Sequence, residues 1–260
     1  LLRGHGAVVA LRAPADLVAL AAHGLAPTVS IREVDADAVP HATVEVDPIS
    51  RTVRSSSLDA VHAADEHELV RLVASIVQLE IAAHAAPQVF VHAGVVECCG
   101  RAIVLPGSSH AGKTTLVRAL VAAGASYSSD EYAVLDLDGH VTPFAKPLSV
   151  RAEDGRSEWI DPDTLGRVGS GSVPVALVAM LQYREGASFQ PVVRRGATVA
   201  LAIVEHTVPA RARQLDTLDA SAAVARRAAM VQGERGEAAA TAVALLELVD
   251  EVASGQPSVD

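Results

Sequence analysis

The chain has 260 residues and a mass of 26.8 kDa, with 50% hydrophobic but only 3% aromatic residues, so its apolar surface is mostly Ala, Val and Leu. That is enough for a core and argues against disorder as a whole, and the length predicts one large domain or one domain with a small appendage. Its 21 Lys and Arg against 31 Asp and Glu give a formal net charge of -10, which disfavours nonspecific binding to nucleic acid or anionic membrane through the overall field.

No uninterrupted apolar run is long enough to span a bilayer, and the first residues lack the order of a signal peptide, so a cytoplasmic protein without membrane partners is expected. Cys98 and Cys99 are the only cysteines. Neighbours on a strand point to opposite faces, so the pair predicts neither a disulfide framework nor a zinc site. No element is predicted for residues 1–6. Residues 7–60 hold short alternating stretches such as Thr43-Val44-Glu45-Val46-Asp47, punctuated by prolines, and predict a β-containing unit. Asp65 with Glu68 three residues on resembles a capping box. Leu69, Leu72, Val73, Ile76, Leu79 and Ile81 follow at near-helical spacing, predicting a helix over 66–85. The domain boundaries expected are 1–86 for a small α+β N-terminal unit, 87–253 for a larger α/β domain, and 254–260 for a frayed tail.

Val89–Glu97 and Arg101–Leu105 read as two strands hinged at Gly100, the second running into a glycine-rich turn, then a helix over 114–123 that ends at Gly124. Tyr132–Asp136 and His140–Phe144 flank Leu137-Asp138-Gly139, where the Asp-Gly step favours a tight hairpin. A hairpin so soon after the loop helix departs from the repeated βαβ order of parallel nucleotide-binding sheets. Residues 152–172 predict loops around a short segment at Trp159. Val173–Tyr183 predicts a buried strand, and 197–207, 216–230 and 237–252 predict helices.

The strongest chemical signal is Gly107-Ser108-Ser109-His110-Ala111-Gly112-Lys113-Thr114, a complete G-x-x-x-x-G-K-T octet between a strand and a helix. Its glycines let backbone N–H groups turn inward to phosphate oxygens at a helix N-terminus. Lys113 would reach the β and γ phosphates of ATP and Thr114 would ligate Mg²⁺. The octet and Thr115 after it are assigned to cofactor binding. Asp130 and Glu131 stand at the end of the next strand, where two carboxylates could divide metal holding from proton acceptance; a solvated acidic turn is the plainer reading of the dipeptide alone. His92, among Val91, Ala93 and Val95, reads as a core residue or a third catalytic group. Arg151, Arg194 and Arg195 are surface residues or phosphate-facing cations.

The order His92, phosphate loop with Lys113, helix ending at Gly124, then Asp130-Glu131 resembles the catalytic domain of HPr kinase/phosphorylase over about residues 89–145. A weaker echo is Val193-Arg194-Arg195-Gly196 before an apolar helix. The resemblance implies an α/β P-loop kinase domain of the HPr kinase/phosphoenolpyruvate carboxykinase-like type with a mixed sheet, and ATP-dependent phosphorylation of a serine. It assigns the phosphates to Lys113 and the loop amides, Mg²⁺ to Thr114 and Asp130, and the acceptor hydroxyl to the acidic pair with His92 tuning it. Glu131, Thr115 and Ala197 stand where the family has Asp, an acid and a second Arg. Asp130-Glu131-Tyr132-Ala133-Val134 is similar to HPr-kinase-related proteins that phosphorylate the C-terminal serine of lasso precursor peptides. The expected partner is therefore a peptide or protein carrying an acceptor serine, with homo-oligomerisation left open. The alternatives are a small-molecule hydroxyl kinase and a noncatalytic ATP-binding regulatory module.

Overall fold

A computed structural model describes residues 1–31, 39–107, 112–151 and 157–254, which form two compact units, Leu1–Ala86 and Pro87–Asp260.

The first unit contains β1 (Leu2–Gly4), β2 (Ala7–Arg12), α1 (Ala15–Ala22), β3 (Ser30–Ile31), β4 (Ala42–Asp47), β5 (Thr52–Ser55), β6 (Val61–His62) and α2 (Glu66–His84). Its sheet runs β3-β1-β2-β4-β5-β6, antiparallel except for the β2–β4 pair, whose parallel register the α1 crossover makes possible. β1 begins at Leu2, within the stretch for which the sequence predicts nothing. Asp65 caps α2: its Oδ1 accepts from Glu68 N at 2.7 Å, and Glu68 Oε2 accepts in return from Ala64 N at 2.6 Å. The buried face of α2 includes Leu69, Val73, Ile76, Val77 and Ile81, whereas the predicted face residues Leu72 and Leu79 are half-buried. Glu80 lies inside instead, because Ser57 satisfies its carboxylate through N (3.2 Å) and Oγ (2.9 Å).

The second unit contains β7 (Val89–Cys98), β8 (Arg101–Pro106), α3 (Lys113–Ala122), β9 (Ser126–Ser129), β10 (Tyr132–Leu135) and β11 (His140–Thr142). There follow β12 (Leu148–Arg151), β13 (Ser157–Ile160), β14 (Val173–Tyr183), β15 (Val192–Arg194), α4 (Ala197–Glu205), α5 (Gln214–Arg227), β16 (Ala229–Arg235) and α6 (Ala238–Ser254). The main sheet runs β11-β10-β7-β8-β14-β16-β15, and β11 also pairs with β14, so the ladder turns back on itself. β8, β14 and β16 are mutually parallel, and the remaining pairs are antiparallel. The sheet is therefore mixed.

Alternation along the strands feeds two cores. Val95 and Val104 pack with Val199, Ile203 and Val224 under α4 and α5. Val96 and Ile103 pack on the other face with Leu116, Leu120 and Leu245 under α3 and α6. Helix α3 ends as the sequence predicts: Ala125 N donates to Leu120 O, Gly124 N donates to Val121 O, both at 3.0 Å, and Gly124 takes φ +112, a value costly for any side chain.

Three expectations change. The helix predicted to run to Met230 stops at Arg227, and Met230 lies in β16, because that apolar segment fills the gap between β14 and β15. Trp159 sits on a strand rather than in a loop, opposite Ser149 in the two-stranded β12–β13 ladder. The cysteines do not point apart. They stand at the tip of the β7–β8 hairpin, where Cys99 (φ +54) and Gly100 (φ +69) make a tight turn that brings the two Sγ atoms to 3.4 Å. Residues 152–156, within the predicted loop region, and the tail beyond Ser254 lie outside the described residues.

Candidate functional site

The site is assembled around one point of β7. Along one side of this strand, Val89–Leu135 to His92–Tyr132 pair it with β10, while Val95–Ser129 to Glu97–Ser126 pair it with β9. Asp130 and Glu131 occupy the break between those two ladders. There Ala93 N donates to Glu131 O at 2.9 Å, and on the opposite side Gly107 N donates to His92 O at 3.4 Å. Adjacent backbone groups of β7 thus hold the acidic pair on one flank and the start of the phosphate-loop motif on the other.

The motif leaves the carboxyl end of β8, the end of a parallel strand where α/β sheets receive ligands. Ser108, Ser109, His110 and Ala111 lie outside the described residues. Gly112 caps α3 with φ +76, a conformation that demands glycine, and a Cβ there would meet Arg235 Nη2 at 2.7 Å and displace the guanidinium. Lys113 opens the helix and donates from Nζ to Gly107 O at 2.7 Å, closing the turn on itself. Burial pushes the Lys113 pKa below the ordinary lysine value, against the opposing pull of Asp130 and Glu131. Thr114 Oγ1 donates to Asp130 Oδ2 at 3.2 Å. Thr115, next along, is exposed.

The acidic pair is tied down from below. Tyr127, fully buried, donates from its hydroxyl to Asp130 Oδ1 (3.2 Å) and to Lys146 O (3.0 Å). Burial raises the Tyr127 pKa far above the tyrosine norm, with the Asp130 charge adding to it, so the phenol stays protonated and shares its one proton between those two acceptors. Lys146 reaches both carboxylates, Asp130 Oδ1 at 3.4 Å and Glu131 Oε2 at 2.9 Å. Burial disfavours its charge, yet the two carboxylates outweigh that and hold its pKa above the ordinary value. Asp130 is 6% exposed in its side chain and Glu131 23%, so the two acids are not equivalent toward a substrate.

His92 lies in register with Tyr132, their rings 6.1 Å apart. Its pKa is lowered by burial and then by the Lys113 charge, which outweigh Glu131 and Asp130, so the imidazole is neutral near pH 7. Arg235 ends β16 at the same carboxyl end of the parallel strands as Gly107. It is buried, donates to Gly236 O (3.0 Å) and Gly112 O (3.4 Å), and stacks on Tyr183 with its guanidinium carbon 5.2 Å from the ring centre.

No family model and no curated protein matches the chain. Among solved structures, the Hpr(Ser) kinase/phosphatase from Coxiella burnetii matches at 14% identity and a TM-score of 0.41, over 64% of this chain and 98% of that one.

The structure brings together Lys113, Thr114, Asp130, Glu131 and, at the rim of their electrostatic field, His92. It does not bring Arg194 and Arg195 to them. Arg194 pairs with Met230 near the start of β16, toward the amino end of that strand, and both arginines are exposed. The side chain of Arg151 lies outside the described residues. Sequence reasoning missed Lys146, Tyr127 and Arg235. Tyr127 alternates with Ser128 in a short strand leading into two acids, a pattern that marks it as buried beside them. Lys146 and Arg235 carry no local signal, since each reaches the site through long-range pairing.

Proposed function

We propose that this chain is an ATP- and Mg²⁺-dependent kinase that transfers the γ-phosphoryl group to a serine hydroxyl, carried by a peptide of the lasso-precursor type or by a protein. One observation carries the reading. The hydroxyl that ends the phosphate-loop motif lies 3.2 Å from the first acid of the pair, which supports a single site for nucleotide binding and acid–base chemistry.

The donor set fits the expected cofactors. The Thr114 hydroxyl and the Asp130 carboxylate are hard oxygen donors of the kind Mg²⁺ takes beside nucleotide oxygens, and Lys113 at a helix N-terminus suits phosphate. When bound, Mg²⁺ supplies neutralisation of charge on the transferring group. Asp130 has both oxygens engaged, by Thr114 on one and by Tyr127 and Lys146 on the other, which suits a fixed holding role. Glu131 is the more accessible acid and is assigned as proton acceptor. The serine Oγ bonds to the γ-phosphorus as the bond from that phosphorus to the β–γ bridging oxygen breaks. ADP leaves with the electron pair, and the hydroxyl proton passes to a Glu131 oxygen. Neutral His92 beside the pair is assigned to orienting the acceptor hydroxyl. The kept order of His92, Lys113, Gly124 and Asp130 supports serine as the acceptor.

A noncatalytic ATP-binding module is the second reading, and Lys146 favours it: a buried ammonium at 2.9 Å from Glu131 ties up the proposed base. Mg²⁺-dependent transfer from [γ-³²P]ATP to serine-ended peptides decides between them, with nucleotide binding measured alongside. Transfer that is lost in Lys113→Ala and Asp130→Asn supports the kinase. Tight ATP binding without transfer supports the module, and no ATP binding at all removes both.

A further inference from the structure

We propose that Cys98, Cys99 and Asp250 form a surface site for a soft divalent cation of the zinc class, which ties the tip of the β7–β8 hairpin to α6. The two Sγ atoms and a carboxylate oxygen of Asp250 all lie within 4.8 Å of one another, with the sulfurs 3.4 Å apart. Zinc holds thiolates at about 2.3 Å and carboxylate oxygens at about 2.1 Å, so its tetrahedral ligands stand roughly 3.5–3.8 Å from each other. The sulfurs need to part by a few tenths of an ångström and the carboxylate oxygen to approach by up to about 1 Å, movements within reach of side-chain rotation. Three protein ligands leave a fourth position for water.

The ligands come from both partners of one packed pair. Cys98 ends β7, Cys99 is the turn residue, and Asp250 lies in α6, whose Leu245 and Val249 pack in the core that β7 and β8 share through Val96 and Ile103. That packing fixes the distance between the carboxylate and the hairpin. The Asp250 carboxylate also places an acidic group beside the two thiols. Partial burial, the contact with Cys99 and the Asp250 charge push the Cys98 thiol up to about 11. Arg167, a positive group acting on Cys98, donates its Nη2 to Gly124 O. Thiolate ligation releases thiol protons to solvent as the cation takes their place. Thiolate sulfur selects a soft or borderline ion over Mg²⁺ or Ca²⁺, and the carboxylate suits Zn²⁺ as the third ligand. The site uses no residue of the phosphate-loop centre, so it stands apart from the kinase reading.

Cobalt(II) titration of the reduced full chain, without nucleotide, tests this directly. One equivalent is expected to give thiolate-to-cobalt charge-transfer absorption that Zn²⁺ displaces, and Zn²⁺ is expected to raise the Tm. Cys98→Ser and Cys99→Ser should each abolish the band and the Tm shift. Even outer partners of metal ligands are worth about 10–100-fold in affinity, so Asp250→Asn should weaken binding at least about tenfold. Absence of the band overturns the proposal. A band that survives either cysteine variant, or an affinity unchanged in Asp250→Asn, overturns it as well, the latter because it marks a bare dithiol chelate.

Discussion

Thr114 Oγ1 donates to Asp130 Oδ2 at 3.2 Å across sixteen positions of sequence, so the first turn of α3 and the strand break after β9 are joined by a single hydrogen bond. The bond orients the carboxylate before any ligand arrives. Asp130→Asn keeps the side-chain shape and is expected to lower phosphoryl transfer by about 10²–10³-fold, more than it lowers ATP affinity, as when one group that supports transition-state charge is removed. Parallel measurement of ATP affinity and transfer rate checks this. Equal losses in both would place Asp130 in binding alone.

Lys146 is the buried counter-charge of the pair. Lys146→Met leaves two carboxylates close together without their cation, and removing one partner of a buried ion pair costs about 3–5 kcal/mol. Urea unfolding at pH 7 reads that loss. The sign with pH follows from the raised pKa of Lys146. Its stabilisation is complete below the unfolded lysine value of about 10.4 and is lost as pH rises through the higher folded value. Above neutral pH the gap between wild type and Lys146→Met should therefore persist until strongly alkaline solution.

His92 has the opposite sign. Its folded pKa lies below the unfolded value of about 6.5, so the unfolded chain binds the proton more readily. Stability is present above that value and falls as pH drops through the folded pKa. His92→Gln should flatten the acid side of the stability profile between about pH 6.5 and the folded midpoint, while leaving stability near pH 8 little changed. An unaltered acid limb in the variant would show that other groups control it.

Arg235 braces Gly112 from β16 and brings a buried positive charge to the phosphate-loop end of the sheet. Hydrogen bonds from charged groups contribute about 1.5–3 kcal/mol, so Arg235→Met is expected to raise the Kd for ATP about tenfold or more. Arg235→Lys, which keeps the charge but loses the planar fork, should recover part of it. ATP titration of both variants checks the order.

Leu120 is fully buried between α3 and the sheet. Leu120→Ala should cost about 2–5 kcal/mol of stability through lost transfer energy and the cavity left behind. Chemical denaturation measures it, and a loss below about 1 kcal/mol would mean that the layer collapses to fill the space.

Local signals that complete themselves within a few residues were readable from the chain. The Asp65–Glu68 cap, the Gly124 helix stop and the Asp138-Gly139 hairpin each depend on hydrogen bonds or dihedral angles set by immediate neighbours, and the sequence predicts all three. The nearly continuous apolar runs of β7, β8 and β14 were equally plain, because a strand buried between two cores is apolar on both faces. The glycine-rich octet was legible as a pattern for the same reason, since the phosphate-binding reading rests on consecutive backbone groups.

What only the tertiary structure decided depends on pairing between distant segments. Apolar residues 228–231 suit a helix or a buried strand by periodicity, and the vacant slot between β14 and β15 made them β16. Lys146 and Arg235 reached the site because their strands and loops closed on it, and no local pattern announces such an arrival. The adjacent cysteines would diverge on a straight strand, but the left-handed turn at Cys99 folds one thiol back upon the other. Sequence thus determined the parts whose energies are short-ranged, while the partners of each buried charge were fixed by which strands lie side by side.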